Sequence, residues 1–297
     1  MRLMLLALLC LAACAQQPVA PPAGRASAQV LEASAPSDWR RLDPEDTIYL
    51  ELASGRVVIE LAPAFAPLHA QNIKALAREQ YFDGLVILRS QDNYVVQWGD
   101  PAEDEKKARP IRSAKSSLPP EFAREATPDL PFSVLADGDV YAPEAGHSTG
   151  FPAARGNGKA WLAHCYGMLG VSRGNTADSG SGAGLYVVIG HSPRHLDRNI
   201  TLAGRVVKGM ELLSALPRGT GALGFYENPE QHVKVRALRV AADLPASQRT
   251  ELELLRTDTA TWTEYVDSRR WRREEWFLDK VGHVELCNVP LPVREKK

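Results

Sequence analysis

The stretch Tyr81-Phe82-Asp83-Gly84-Leu85-Val86-Ile87-Leu88-Arg89-Ser90-Gln91-Asp92-Asn93-Tyr94-Val95-Val96-Gln97-Trp98-Gly99-Asp100-Pro101 decides how the chain is read. Tyr81-Phe82-Asp83-Gly84 closes a helix, Leu85 to Leu88 is a short apolar run suited to a buried strand, and Tyr94 to Asp100 follows it. Toward the N-terminus, Pro67 opens that helix, because its missing N–H is no loss in a first turn, and Ile73, Leu76 and Ala77 share one face. Before the helix, Thr47 to Leu52 and Val57 to Leu61 flank the turn Ala53-Ser54-Gly55-Arg56 and form a hairpin.

Toward the C-terminus, residues 101–160 are a charged, Pro- and Gly-rich excursion punctuated by Leu118-Pro119-Pro120-Glu121-Phe122. Strands resume at Trp161, then at Gly167 to Ser172, Leu185 to Ile189 and Thr201 to Val207. A short helix follows at 208–213, and an alternating segment, Val233 to Val240, closes the core. Many short strands with two helices point to a mainly β protein built as a closed antiparallel barrel. After Pro245 comes an appendage: a charged helix near 249–275, then a strand-like Val284 to Val289. Trp262, Trp271 and Trp276, interleaved with Arg269, Arg270, Arg272 and Arg273, are read as an amphipathic helix packed on the barrel.

The 297 residues carry 35 Lys+Arg against 36 Asp+Glu, a net charge of -1, so no field recruits nucleic acid. The seven histidines show no metal-ligand spacing, and Ser179 to Gly184 precedes a strand where a phosphate loop would open a helix. Arg2 followed by the apolar run Leu3 to Leu11 is too short to span a bilayer and reads as an export signal. Leu11-Ala12-Ala13-Cys14 resembles the lipobox of bacterial lipoproteins, which implies cleavage before Cys14 and acylation there. Two or more acyl chains anchor stably. Ala15 in place of Asp implies the outer membrane, facing the periplasm, with the membrane met through the anchor only. Residues 14–45 lack hydrophobic periodicity and are expected to be a disordered tether.

The collinear series of hairpin, Ala66-Pro67, Asn72, Leu76, Tyr81 to Gly84, Arg89, Gln97 to Pro101, Gly167-Met168-Leu169 and Gly204 to Met210 resembles the cyclophilins over roughly 47–242. The resemblance implies a closed eight-stranded antiparallel barrel capped by two helices, spanning 46–243, with the appendage 244–297 packed on it. It implies a proline-binding groove on the outer wall, with Arg89 as the catalytic arginine and Gln97 eight residues on. Tyr94 stands where the family has a groove phenylalanine, Val95 where it has methionine, Tyr186 in place of a second aromatic, and His195 at the rim. Two positions depart from the family: Gly184 replaces a groove glutamine, and no tryptophan lies beside His195.

The implied activity is cis–trans isomerisation of Xaa–Pro bonds in exported proteins, with no cofactor. Resonance raises a rotation barrier of about 18–20 kcal/mol. A catalyst must bind the twisted amide better than the planar one, and a guanidinium aimed at the prolyl nitrogen can do so. Arg89 and Gln97 favour a catalyst. Gly184 and the altered rim favour a proline-segment binding module or chaperone with little turnover. Cys165 and Cys287, the thiols left beyond Cys14, are read either as a disulfide tying appendage to barrel or as two buried thiols.

Overall fold

The computed structural model describes residues 23–102 and 106–296; Cys14 and the leader lie outside that range. Nine strands form one curled antiparallel sheet. Its order is Val233–Lys234, Val86–Ser90, Val95–Gly99, Leu185–Val188, Met168–Val171, Leu202–Lys208, Gly55–Leu61, Thr47–Leu52 and Ala237–Val240. The expected eight-stranded closed barrel is therefore met in coarser form. The alternating stretch 233–240, read as one closing strand, is two. Val233–Lys234 pairs with Ile87 and Val86 at one edge, and Ala237–Val240 pairs with Glu51 to Ile48 at the other. Between them Val235 hydrogen-bonds Leu85 and Gly84 while Arg236 N donates to Glu51 O, so a bend at 235–236 serves both edges.

Alternation sorts the faces. Ile48, Leu50, Ile59, Leu61, Ile87, Val96, Trp98, Leu169, Leu185 and Val187 fill the interior together with Ile73 and Leu76 of helix Pro67–Arg78. That helix has no side-chain cap of its own at Ala66. The Glu121 carboxylate accepts from Leu68 N (3.0 Å) and His69 N (2.9 Å) instead, satisfying two orphan donors with a charge suited to a helix N-terminus. This explains the punctuation at 118–122. Asn72 ties the same helix to the excursion by accepting from Lys115 N and donating to the Lys115 and Ser181 carbonyls.

Within the excursion, residues 124–162 hold a second sheet: Arg124–Glu125, Lys159–Leu162, Phe151–Gly156, Glu144–Ser148 and Ser133–Val134. Ala145, Ala153, Phe151 and Leu162 of this sheet share one core with Trp262 and Tyr265 of helix Ala260–Trp271 and with Leu286. The appendage thus packs on the excursion as much as on the barrel. It brings a strand, Leu252–Leu255, before its helix, and a 3-10 turn, Leu286–Asn288, stands where a strand was expected. Trp276 lies beyond the helix and is exposed.

The disordered tether expected over 14–45 is also corrected. Ser27–Glu32 is helical, with Val30 buried in that second core, and Trp39–Arg41 pairs with Leu255 to Glu253. A six-residue helix and a three-residue strand are too short to show periodicity; partners more than 200 residues away hold them. Cys165 and Cys287 form a disulfide, with α carbons 5.0 Å apart and a sequence separation of 122, so the alternative of two buried thiols is dropped. Closing a loop of that length stabilises by up to about 4–5 kcal/mol. Reduction, or Cys287→Ser, is expected to lower Tm measurably. Unreduced, unfolded protein should yield no titratable thiol from either position; a free thiol at either one would contradict the pairing.

Candidate functional site

The register on the outer wall builds the site. Strands Val86–Ser90 and Val95–Gly99 slip by one residue between Ile87 and Arg89, which sets Arg89 opposite Gln97. On the other side of the same strand Gln97 faces Tyr186, and Tyr186 faces Gly170. Residues opposite one another in an antiparallel pair share a face. Arg89, Gln97, Tyr186 and Gly170 are therefore one row across four strands.

Arg89 is half-buried. Its Nη1 donates to Gln97 Oε1 (3.3 Å), its Nε to Leu223 O (2.7 Å) and its Nη2 to Gln91 Oε1. The Tyr94 and Phe225 rings lie 5.5 and 5.3 Å from its Cζ. Burial pushes the guanidinium below its ordinary value, and it still remains charged near neutrality. Beside the row, Val95, Tyr186 and Val188 make an apolar patch against which Tyr94 and Ile200 pack.

Tyr186 is 4% exposed and tilts over Gly170, where any β carbon would collide with its ring. Its hydroxyl lies 2.9 Å from His164 Nε2. His164 Nδ1 lies 2.8 Å from Asp197 Oδ1, which also accepts from His164 N at 2.9 Å. A carboxylate can only accept, so Nδ1 carries a proton, and a neutral imidazole then accepts the Tyr186 hydroxyl hydrogen bond at Nε2. Arg194 closes the chain by donating from Nε to Asp197 (2.6 Å) and from Nη2 to Asp139 (2.6 Å). Burial would raise the Asp197 pKa, but His164 and Arg194 together hold it below its ordinary value. Burial lifts the Tyr186 phenol well above its ordinary value, so it stays a hydroxyl.

Of the residues expected at the site, Arg89, Tyr94, Gln97 and Tyr186 come together. His195 does not. It sits exposed on the turn Arg194–Leu196, and among the described residues no hydrogen bond or ring contact joins its side chain to the others. Its neighbours Arg194 and Asp197 reach the site instead, because the turn points them inward. Sequence reasoning missed Leu223, Phe225, Gln91, His164 and Asp197. The first two sit on a loop 134 or more residues from Arg89, and His164 had no spacing to mark it.

The comparisons with known proteins bear on this geometry. The family described as cyclophilin type peptidyl-prolyl cis-trans isomerase/CLD matches residues 47–240. The chain belongs to that family. A probable peptidyl-prolyl cis-trans isomerase of Brucella suis is 26% identical over 198 residues, covering 65% of this chain and 82% of that protein. Peptidyl-prolyl cis-trans isomerase-like 1 of Gibberella zeae is 26% identical over 196 residues, covering 66% and 95%. In fold, the chain resembles the crystal structure of cyclophilin AquaCyp293 from Hirschia baltica, with a TM-score of 0.69 at 24% identity over 88% of this chain and 96% of that one. That likeness runs past 47–240, so the segments flanking the isomerase domain take part in it.

In this cyclophilin the network behind Tyr186 has a testable pH signature. Asp197 has a depressed folded pKa, so the unfolded chain binds the proton more readily. Its contribution is complete above the unfolded value near 3.9 and is lost as pH falls through the folded value. Asp197→Asn should flatten the acid limb of the stability curve. Tyr186→Phe, which leaves His164 Nε2 unpaired, should cost about 1–3 kcal/mol. Denaturant unfolding between pH 2 and 7 measures both, and an unchanged acid limb in Asp197→Asn would contradict the assignment.

Proposed function

We propose that this cyclophilin is a prolyl isomerase of the bacterial envelope acting on exported proteins, with Arg89 assisting rotation of the Xaa–Pro bond. The observation that carries the proposal is the half-buried Arg89 guanidinium, in line with Gln97 and Tyr186 and beside the apolar patch of Val95 and Val188. In this reading the prolyl ring rests against Tyr94, which that buried patch supports from beneath. The Gln97 amide holds a peptide carbonyl, and His195 meets the peptide only beyond the ring. As the amide twists, its nitrogen becomes pyramidal and gains a lone pair to which Arg89 can donate. A hydrogen bond to a charged group contributes about 1.5–3 kcal/mol net, worth roughly one to two decades of rate when made only in the transition state.

A second reading, a proline-segment binder or chaperone with little turnover, rests on the loop before Phe225. Leu223 O accepts from Arg89 Nε and the Phe225 ring stands over the guanidinium, so the loop competes with a peptide for Arg89. A protease-coupled assay on a short Xaa-Pro peptide separates the two readings. Arg89→Ala should lower kcat/KM about ten-fold or more with the fold intact, since the side chain faces the groove and not the core. Rates near the uncatalysed value in both mutant and wild type, with peptide binding retained, would establish the binder.

The envelope assignment rests on the leader and Cys14, and the Cys165–Cys287 disulfide supports it because such bonds persist in oxidising compartments. Acyl chains on Cys14 would supply the anchor. Cys14→Ser is expected to move most of the protein from the outer-membrane fraction to the soluble fraction on sucrose-gradient separation. A mutant that sediments as the wild type does would show that lipidation is not what holds it.

A further inference from the structure

Residues 272–282 leave the end of helix Ala260–Trp271 and return to it. Arg272 turns out of the helix with φ 45°, and Gly282 packs so closely on the Trp271 ring that a β carbon there would sit 2.7 Å from Cζ3. The base of the loop is pinned, because the Asp137 carboxylate accepts from Arg270 (2.6 Å to Nη2) before the loop and from Val284 N (3.1 Å) after it. Beyond the base the loop presents large apolar side chains to solvent: Trp276 is 82% exposed, Leu278 98% and Val281 75%. The Phe277 ring braces Trp276 edge-on at 5.0 Å. Arg272, Arg273 and Lys280 balance Glu274, Glu275 and Asp279, so the tip carries apolar surface without a net charge. Exposed apolar side chains gathered at one place mark a surface that something covers.

The N-terminal chain reaches the fold at this same place. Arg25 pairs with Glu264 (2.5 Å), and Ser27 Oγ lies 2.8 Å from Ser268 Oγ, both on the helix that feeds the loop. Gly24 lies against the Arg273 guanidinium, where a β carbon would sit 2.5 Å from Cζ, three residues before Trp276. Cys14 precedes Gly24 by ten residues, which span at most about 35 Å when fully extended. Acyl chains on Cys14 would therefore keep this end of the molecule, and the apolar tip with it, close to the bilayer.

On the reading that Cys14 is the lipid anchor, we propose that Trp276, Leu278 and Val281 dip into the same bilayer as a second contact that orients the isomerase domain on the membrane. Tryptophan favours the headgroup boundary and aliphatic side chains the acyl region just below it. With no net charge at the tip, the contact is apolar and insensitive to salt.

The test uses the full chain purified from membranes of a host that exports it, beside Trp276→Ser and Trp276→Ser/Leu278→Ser. Each is mixed with phosphatidylethanolamine–phosphatidylglycerol vesicles whose acyl chains are brominated, and intact mass reports acylation. Both side chains changed are solvent-exposed, and circular dichroism checks that the variants fold. The proposal expects tryptophan fluorescence of the wild type to be quenched on vesicles, with at least half of that quenching lost in Trp276→Ser and no change between 50 and 500 mM salt. It expects hydrogen-exchange protection at 276–281 to fall at least three-fold in the double variant. Acylated protein whose quenching is the same with and without Trp276 overturns the loop contact and leaves the anchor standing. Protein without acyl mass that still shows Trp276-dependent quenching overturns the anchor and upholds the loop. Acylated protein that sits on vesicles with 276–281 unprotected also overturns the proposal and leaves those side chains to a protein partner.

Discussion

A one-residue slip in register between Ile87 and Arg89 is the constraint on which the outer wall depends. Side chains alternate along a strand, so register alone determines which residues face the core and which face the outer wall. With the slip in place Val96 and Trp98 stay in the interior while Arg89, Gln97 and Tyr186 stand in one row outside. Without it, Arg89 would lie opposite a different residue, and the guanidinium would lose the Gln97 side-chain oxygen that helps hold it half-buried. The row is therefore a property of pairing geometry before it is a property of any side chain.

The apolar patch around Tyr186 depends on charges that lie outside the strands of the nine-stranded sheet. Tyr186 takes its tilt from Gly170 beneath it and from His164 at its hydroxyl, and the Asp197–Arg194–Asp139 chain holds His164 in one tautomer. Asp139 belongs to the excursion, so a segment far from strands Val86–Ser90 and Val95–Gly99 reaches the apolar patch through four hydrogen-bonded side chains. A fully satisfied buried polar chain of this kind orients its members more narrowly than apolar packing would.

The same excursion is joined to the nine-stranded sheet through buried charge. Glu60 accepts from Arg205 (2.9 Å to Nη2) and pairs with Arg40 (2.6 Å), while Arg205 and Arg40 donate to the Gly150 and Thr149 carbonyls of the excursion's turn. One carboxylate thus links a barrel strand, the N-terminal strand and the excursion. Losing it would leave Arg205 buried and unpaired, the costly half of a buried ion pair at about 3–5 kcal/mol. The Cys165–Cys287 disulfide closes the remaining seam between barrel and appendage.

The sequence by itself determined what rests on local periodicity and on spacing along one or two strands. The 47–61 hairpin, the helix opened by Pro67 and the strands at 86–99, 168–171, 185–188 and 202–208 follow from alternation and short turns, while the grouping of Arg89, Tyr94 and Gln97 was implied by the resemblance to the cyclophilins. Only the tertiary structure decided the rest. It split 233–240 between two sheet edges, ordered 27–41, built a sheet inside the excursion, chose the disulfide over two thiols, and turned Asp197 rather than His195 toward Tyr186. Each of these is settled by a partner distant in the chain, and a short strand, a lone histidine or a cysteine carries no local mark of the partner it will find. The physical reason is that pairing energy belongs to both members: alternation announces a face, but only the folded sheet supplies what that face meets.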